Sequence, residues 1–457
     1  MEKEKLKNKA SEVKKKVSFF RTKSSLLARG FLFRYFPYIV SLIILVLGLY
    51  IRFKVIRMPY GDLLNFNIPW IREIKSLGFK NFYKVDGADY SSFYLFFLAI
   101  VSLLPEGKRV TISGYTFESN YRIAIKARNF VFDLLLAFSV FLLLKKLSKE
   151  KYIPFLGAWI CFLLPIQYLN SALWGQCDNF WALSIVLALY FVRDGKDSFA
   201  WLFVGLGLAI KLQIVFILPL FAVFWRKKMV SLWKILFAFF GFFLTLLPAL
   251  FCGAGFSEAA SFIVIQIGRY SNLNLGCANR WHLFNSFSGD DLDLANGSAT
   301  FLALGLIALC CIFVLIHNPD LKEKKTFILV SAFLINVVPF FLPHRHERYF
   351  YSRDILLLVY CLTAKKDYFL LPLSQLSGVI AYYNYLSRFT TYFFPSLGDS
   401  SVAIASLINL FLLLFLFYRI RQGKKGISRE EEADERKIAF AGKDRPTAEN
   451  QEKEISK

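Results

Sequence analysis

Ionisable side chains collect between the long apolar runs of this sequence, and their types suit acid–base chemistry. Asp62 lies in the segment Pro59-Tyr60-Gly61-Asp62, directly after the first apolar run. A carboxylate beside lipid tends to have a raised pKa, so it could accept a proton from a hydroxyl group. The alternative is that Asp62 only caps a short surface helix. Asp89, at the start of a short apolar helix, could likewise cap that helix or supply a second carboxylate.

A second charged segment lies far downstream and reads His344-Arg345-His346-Glu347-Arg348. Imidazole and carboxylate groups are competent metal ligands. Two arginines would repel a cation, however, and they suit a phosphate through charge-assisted hydrogen bonds. We therefore favour anion binding here. No metal site or cofactor is predicted with certainty, and a divalent cation held by Asp62 and Asp89 stays open as an alternative.

Polar residues also interrupt or end the apolar runs themselves. Trp174, Gln176 and Asp178 close one run, where Trp and Gly could simply anchor and terminate a helix. Lys211 could supply a positive charge to a site, or could only extend its ammonium group to the membrane interface. Ionisable groups in a membrane are costly, so Lys126 and Lys211 are functional candidates by default.

The elements that must position these residues are transmembrane helices. The chain has 457 residues, of which 56% are apolar, and a mean hydropathy of +0.46. Many apolar runs approach the roughly 20 residues that cross a bilayer. The net charge of +23 fits basic loops on the cytoplasmic side better than nucleic-acid binding, since residues 1–36 hold eleven Lys/Arg against three Glu. Seven cysteines, mostly within the runs, predict no disulfide framework.

The basic clusters predict an all-α polytopic protein of about twelve transmembrane helices with both ends inside. Between 199 and 225, two short helices meeting at Lys211-Leu212-Gln213 keep the later basic clusters on the cytoplasmic side. A basic segment (1–36), a membrane domain (37–420) and a charged tail (421–457) follow from this, with a long first outer loop (58–122). That loop carries interfacial helices, one of them a re-entrant or interfacial helix near 94–104. The other predicted spans lie near 38–56, 123–144, 154–172, 179–192, 231–251, 298–317, 325–342, 349–364, 367–385 and 400–419.

Seven short motifs occur in one order from about residue 60 to residue 355. They are Gly61-Asp62 through Pro69-Trp70, Gly87-Ala88-Asp89-Tyr90, Lys126 to Asp133, Trp174-Gly175-Gln176-Cys177-Asp178, Lys211-Leu212-Gln213, Asn279 with Trp281, and His346 to Tyr351. In these motifs the chain resembles the GT-C superfamily of integral-membrane glycosyltransferases, closest to bacterial mannosyltransferase-like members. The resemblance implies a polyprenyl-phosphate sugar as donor and a glycan, lipid or protein hydroxyl as acceptor. It also implies an active site on the extracytoplasmic side of the plasma (inner) membrane.

The resemblance implies that Asp62 is the catalytic base, and we expect Asp89 to be the second catalytic carboxylate. The expected donor-phosphate contacts are Lys211, Gln213, Arg345, His346 and Arg348. The expected substrate contacts are Lys126, Trp174, Gln176, Asp178, Asn279, Arg280, Glu347 and Tyr349. The chain departs from the family pattern at Leu63, at Ser91-Ser92 and at Arg345, where we would expect Tyr, a Pro-Pro pair and Met. These departures bear on the preference for acceptor or sugar.

Two other function classes could share basic outer loops. A transporter or flippase of lipid-linked sugars would usually show internal repeats and broken helices in both halves, and the sequence shows no repeat. A ligase or polymerase would transfer a whole glycan from a lipid diphosphate, and only analysis of the product distinguishes it. A purely structural role does not account for charges in the outer loops.

Overall fold

A computed structural model describes residues 35–58, 61–112, 115–268, 272–288, 296–387 and 397–443. Over these residues the protein is helical almost throughout. Strands are limited to an antiparallel hairpin, in which β1 (Arg109–Ile112) pairs with β2 (Tyr115–Glu118), and to a parallel pair of two-residue strands. The predicted all-α class is confirmed. Most of the basic segment 1–36 and the end of the charged tail lie outside the described residues.

The first half of the chain forms nine helices, several of them short. They are α1 (Tyr35–Val55), α2 (Ile68–Leu77), α3 (Ser92–Ser102), α4 (Ser119–Leu147), α5 (Ile153–Leu163), α6 (Pro165–Gln167), α7 (Asp178–Arg193), α8 (Asp197–Leu208) and α9 (Leu218–Arg226). Two π-helical segments (Leu63–Asn67 and Tyr168–Trp174) and two 3-10 segments (Phe79–Lys84 and Leu212–Ile217) join them.

The second half continues the same pattern. A 3-10 segment (Leu232–Ile235) leads into α10 (Leu236–Phe251), followed by α11 (Phe256–Ala260), α12 (Phe262–Gly268), β3 (Asn274–Leu275), α13 (Arg280–Ser288), α14 (Asn296–His317), α15 (Lys324–Phe341), β4 (Arg345–His346), α16 (Tyr351–Ala364), α17 (Leu370–Ser387) and α18 (Asp399–Lys443). The parallel pair of strands joins β3 to β4, with Asn274 opposite Arg345.

Five described helices are long and apolar enough to cross a membrane. They lie at Tyr35–Val55, Leu232–Phe251, Gly297–His317, Lys324–Phe341 and Ser400–Gly423. A sixth span results if α5 and Pro165–Trp174, which meet at a bend of 48°, cross together. The protein is therefore membrane-embedded, but the predicted count of twelve is not confirmed. Several predicted spans correspond to helices too short for this criterion, such as α16 with 14 residues.

Burial separates helices at the periphery from helices at the centre. In α1 only 17% of the apolar window is buried, and Leu42, Ile43 and Phe53 are exposed, as expected where lipid is the solvent. In α15 the buried share is 78%, and every residue of α16 is buried. α15 and α16 therefore lie in the middle of the bundle, and the segment between them is held on both sides by buried helices.

The predicted break between two short helices at Lys211 is confirmed. α8 ends at Leu208, Lys211 has an extended backbone, and the helical chain resumes at Leu212. α8 also packs against α10 almost backbone to backbone. A Cβ at Gly205 would lie 1.9 Å from the carbonyl oxygen of Ala238, so only glycine permits this approach.

The segment between α1 and α4 folds into a small layer of helices, whose apolar core also includes residues of α4, α7 and α10. The predicted half-length helix near 94–104 is present as α3, and the side chain of Ser91 caps it by accepting a hydrogen bond from the amide of Tyr94 at 3.1 Å. The alternative in which Asp89 caps this helix is therefore wrong, because Ser91 does so. Asp62 precedes the π-helical segment, but its side chain makes no capping hydrogen bond. That alternative for Asp62 is also wrong.

Candidate functional site

The carboxylate of Asp62 is directed towards three side chains from distant parts of the chain. Its Oδ2 accepts a hydrogen bond from Nε2 of Gln176, and its Oδ1 accepts one from the hydroxyl of Tyr385 at 3.3 Å. The guanidinium of Arg348 lies 3.9 Å from Oδ2. Asp62 is thus mostly buried and fully engaged by polar groups, as a positioned acid–base residue would be.

Arg348 lies among three carboxylates. Its NH1 donates to Oε1 of Glu347 at 2.5 Å, and its Nε lies 3.5 Å from Oδ2 of Asp178, in addition to the contact with Asp62. The guanidinium also lies over the ring of Trp174, 5.1 Å from its centroid. A planar, delocalised cation suits this setting because it can hydrogen-bond in its plane and stack on its face.

A buried ion pair between Asp178 and Lys211 forms the next part of the cluster. Nζ of Lys211 lies 2.8 Å from Oδ1 of Asp178, and both side chains are almost completely buried. Asp178 also accepts hydrogen bonds from Trp181 at 2.9 Å and from Asn170 at 2.7 Å. Because Asp178 begins α7, the partial positive charge of the helix terminus adds to this stabilisation.

Gln176 connects Asp62 to that ion pair. Its Oε1 accepts hydrogen bonds from Lys211 and from the hydroxyl of Tyr90, each at 3.1 Å, while its Nε2 donates to Asp62. Gly175, with φ of +88°, ends the preceding π-helical segment, so the expectation that this glycine terminates a helix is confirmed. The same turn directs the side chain of Gln176 into the cluster.

Arg345 belongs to a neighbouring aromatic group. Its guanidinium lies 5.3 Å from the ring centroid of Phe216 and 5.7 Å from that of Tyr349, whose hydroxyl accepts a hydrogen bond from Gln213 at 2.5 Å. Within the described residues no carboxylate forms an ion pair with Arg345, and its Nε has no hydrogen-bond partner. Arg345 is therefore a partly buried cation that forms no ion pair with a carboxylate of the described residues.

The pKa values of the loop residues follow from burial and from Arg348. Burial raises the pKa of Asp62, and the charge of Arg348 only partly offsets this. Burial lowers the pKa of His346, and the charge of Arg348 lowers it further, while the neighbouring Glu347 opposes this shift. Burial alone would raise the pKa of Glu347, but the adjacent Arg348 and His346 hold it below the ordinary value. Arg348 therefore influences the pKa of all three groups.

The balance of charges in the cluster bears on which cation could bind an anion. Three carboxylates (Asp62, Asp178 and Glu347) face two cations (Lys211 and Arg348). An added phosphate would compete with these carboxylates for the same cations. Anion binding, predicted from the types of the residues alone, is therefore best served by Arg345, which is free of such competition.

Two predicted site residues make their recorded hydrogen bonds elsewhere. Nζ of Lys126 donates to the backbone carbonyls of Val55 and Met58 at 2.9 and 2.5 Å. Asn279 accepts from the amides of Trp281 at 3.1 Å and His282 at 3.3 Å, and so caps α13. These contacts support the backbone, and binding of a substrate by either side chain stays a prediction.

Arg280 and the backbone of Asp89 contact other parts of the fold. The guanidinium of Arg280 lies 4.4 Å from the ring centroid of Trp281 at the start of α13. The backbone carbonyl of Asp89 accepts a hydrogen bond from Gln266 at 2.6 Å. Over the part of the chain that is described, no group of three His, Cys, Asp or Glu side chains could hold a metal ion.

Three residues of the cluster were not predicted from the sequence. Tyr385 donates to Asp62 and stacks on Trp174 with ring centroids 4.6 Å apart, and Asn170 donates to Asp178 and to the hydroxyl of Tyr382 at 3.0 Å. The available signal was polarity within apolar segments: Tyr382 and Tyr385 are three residues apart on α17, and therefore share a face. Asn170 interrupts an apolar run, which is costly in a membrane.

The geometry of the cluster is the basis for any assignment of function, because no protein-family model and no curated protein matches the chain.

Proposed function

We propose that the protein is a membrane glycosyltransferase that transfers a sugar from a polyprenyl phosphate to an acceptor hydroxyl, with Asp62 as the general base. The observation that carries this proposal is the buried carboxylate of Asp62, held by Gln176, Tyr385 and Arg348. The resemblance of the motifs to GT-C glycosyltransferases supports the class of donor.

In the proposed reaction the acceptor hydroxyl attacks the anomeric carbon on the face opposite the phosphate. A bond forms from the hydroxyl oxygen to that carbon, while the bond from the carbon to the phosphate oxygen breaks. The proton of the hydroxyl passes to Asp62, and polyprenyl phosphate leaves with the bonding electron pair. One displacement inverts the anomeric centre. Burial, by raising the pKa of Asp62, makes it a stronger base than an ordinary aspartate.

Arg345, Gln213 and Tyr349 are the proposed contacts of the donor phosphate. Charge builds on the phosphate as the glycosidic bond breaks, and a fixed, partly buried cation stabilises that charge more in the transition state than in the ground state. Arg345 is suited to this because no carboxylate of the described chain pairs with it. Arg348 and Lys211 instead hold Asp62, Gln176 and Asp178 in place.

We place the reaction at the outer face of the plasma (inner) membrane. Helices that begin at the cluster end at basic residues: α7 runs from Asp178 to Arg193, and α16 runs from Tyr351 to Ala364, beside Lys365. At those remote ends Arg193 donates to the carbonyl of Lys322 at 2.7 Å, and Lys365 pairs with Glu150. Basic residues concentrate on the cytoplasmic side of membrane proteins, so this polarity favours an outward cluster.

The test is transfer by the purified protein in proteoliposomes that contain labelled polyprenyl-phosphate sugars and candidate glycan, lipid or peptide acceptors. The proposal expects a new glycosidic product with inverted configuration, formed by the wild type. Movement of the lipid-linked sugar across the bilayer without a new bond would overturn it in favour of a transporter. Transfer of a whole glycan from a lipid diphosphate would overturn it in favour of a ligase.

A further inference from the structure

Three buried polar side chains lie along one face of α4 and are not part of the cluster around Asp62. Lys126, Asn129 and Asp133 are spaced by three and four residues, so they lie one above another on the helix. At most 2% of each residue is exposed. Polar groups buried in a membrane domain are costly, so the contacts that offset this cost are informative.

Two of these side chains, Lys126 and Asp133, form hydrogen bonds with α1 and the residues just after it. Lys126 donates to the carbonyls of Val55 and Met58, which lie at the end of α1 and just beyond it. A cation at this terminus is favoured because the last carbonyls of a helix have no partner within it. Asp133 accepts from Nε and NH2 of Arg52 at 3.0 and 2.9 Å, one turn earlier in α1.

Asn129 and Asp133 also form hydrogen bonds with the segment that carries Gln176. Nδ2 of Asn129 donates to the carbonyl of Gln176 at 2.8 Å and to that of Ser171 at 3.3 Å. Asp133 also accepts from the hydroxyl of Ser171 at 2.5 Å and from Asn179 at 2.9 Å. α4 thus holds two segments of the chain. One is the end of α1, shortly before Asp62, and the other carries Gln176, whose side chain binds Asp62.

We propose that Lys126 and Asn129 are positioning residues, which set the relative placement of Asp62 and Gln176 by holding both segments to one rigid helix. Asp62 follows Met58 by four positions, so the position of the end of α1 limits where the backbone of Asp62 can lie. Only 17% of the apolar window of α1 is buried, so few side chains of the described residues enclose this helix. Hydrogen bonds from α4 therefore replace the contacts that a buried helix would have.

The consequence for catalysis rests on the proposed function. Without Lys126 the segment that carries Asp62 would shift relative to Gln176, and a displacement of about 1 Å in a catalytic group can lower the rate by as much as 100-fold. Binding of the donor would change little, because Arg345 lies on the loop before α16 and is not held by this face of α4. The expected signature is a lower kcat with a nearly unchanged KM.

The experiment compares Lys126→Met and Asn129→Leu with the wild type in two measurements. Hydrogen–deuterium exchange should increase in residues 61–67 for Lys126→Met and in residues 171–177 for Asn129→Leu. In the transfer assay each variant should lose kcat roughly 10- to 100-fold, with KM close to wild type. Lys126→Arg, which keeps donors for both carbonyls, should restore most of the rate.

The matched control is Ser139→Ala, since Ser139 is a buried polar residue of α4 that donates only to the carbonyl of Leu136 in its own helix. This variant should leave hydrogen–deuterium exchange in residues 61–67 and 171–177 unchanged. Its kcat and KM in the transfer assay should also match those of the wild type. Unchanged exchange in both segments for Lys126→Met and Asn129→Leu would overturn the proposal, whatever the transfer assay shows. If Lys126→Met does not fold, hydrogen–deuterium exchange of Asn129→Leu and Lys126→Arg decides whether the proposal holds. Exchange is measured on the protein itself, so failure of glycosyl transfer in the wild type is distinguishable from failure of this inference.

Discussion

Asp62 and Arg348 come from opposite halves of the chain, and yet the guanidinium of Arg348 lies 3.9 Å from the carboxylate of Asp62 in one buried cluster. Asp62 follows the first transmembrane helix, and Arg348 lies between the two most buried helices of the bundle. Glu347 and Asp178 share the same guanidinium. Arg348 therefore moderates the basicity of Asp62 and is at the same time restrained by two other carboxylates.

The first prediction concerns Asp62→Asn, which removes the proposed base and keeps the shape of the side chain. We expect transfer to fall by roughly 100- to 10,000-fold, the usual contribution of a general base. Expression and thermal stability should stay near those of the wild type. Asp86→Asn is the control, because Asp86 is an exposed carboxylate of the same loop. Near-normal transfer by Asp62→Asn would remove this residue from the role.

The second prediction concerns the dependence of kcat on pH. Only the ionised form of Asp62 accepts a proton, so the rate should fall as the pH falls through its pKa. Because burial raises that pKa, the fall should occur at a higher pH than an ordinary aspartate would give. Arg348→Gln removes a charge that lowers the pKa of Asp62, and should therefore move the acid limb to still higher pH. A limb that moves to lower pH in this variant would contradict the assignment.

The third prediction concerns Arg345→Gln and use of the donor. A hydrogen bond to a charged group contributes about 1.5–3 kcal/mol, so loss of this cation should lower kcat/KM for the donor roughly 10- to 100-fold. The KM for the acceptor should not change. Arg193→Gln, at the end of α7 remote from the cluster, is the matched control and should leave both constants unchanged. An unchanged kcat/KM for the donor in Arg345→Gln would exclude Arg345 from the phosphate site.

The fourth prediction concerns stability and the ion pair between Asp178 and Lys211. Asp178→Ala leaves the buried ammonium of Lys211 without its main partner, which should cost about 3–5 kcal/mol of unfolding free energy in detergent. The double variant Asp178→Leu with Lys211→Met removes both charges and should recover much of that loss. Asp194→Ala breaks more exposed pairs at the other end of α7, and should cost much less unfolding free energy because solvent screens those pairs. Equal losses for the two single variants would contradict this account.

The sequence determined much of the architecture, because hydropathy and helix breaks are local properties of the chain. It predicted a helical membrane protein, the break at Lys211 and the short helix α3, and the structure confirms each of these. The predicted number of spans is not confirmed, because several predicted spans correspond to helices such as α16, which has 14 residues and is shorter than a segment that crosses a bilayer by itself.

The tertiary structure alone decided which polar groups meet. The sequence identified Asp62, Gln176, Asp178, Lys211 and Arg348 as candidates from residue type, cost of burial and family resemblance. It could not show that two of the cations are neutralised by carboxylates, that Arg345 is not, or that Lys126 binds the end of α1. The physical reason is that a charge finds its partner through the packing of helices distant in sequence, and neither periodicity nor hydropathy encodes that pairing.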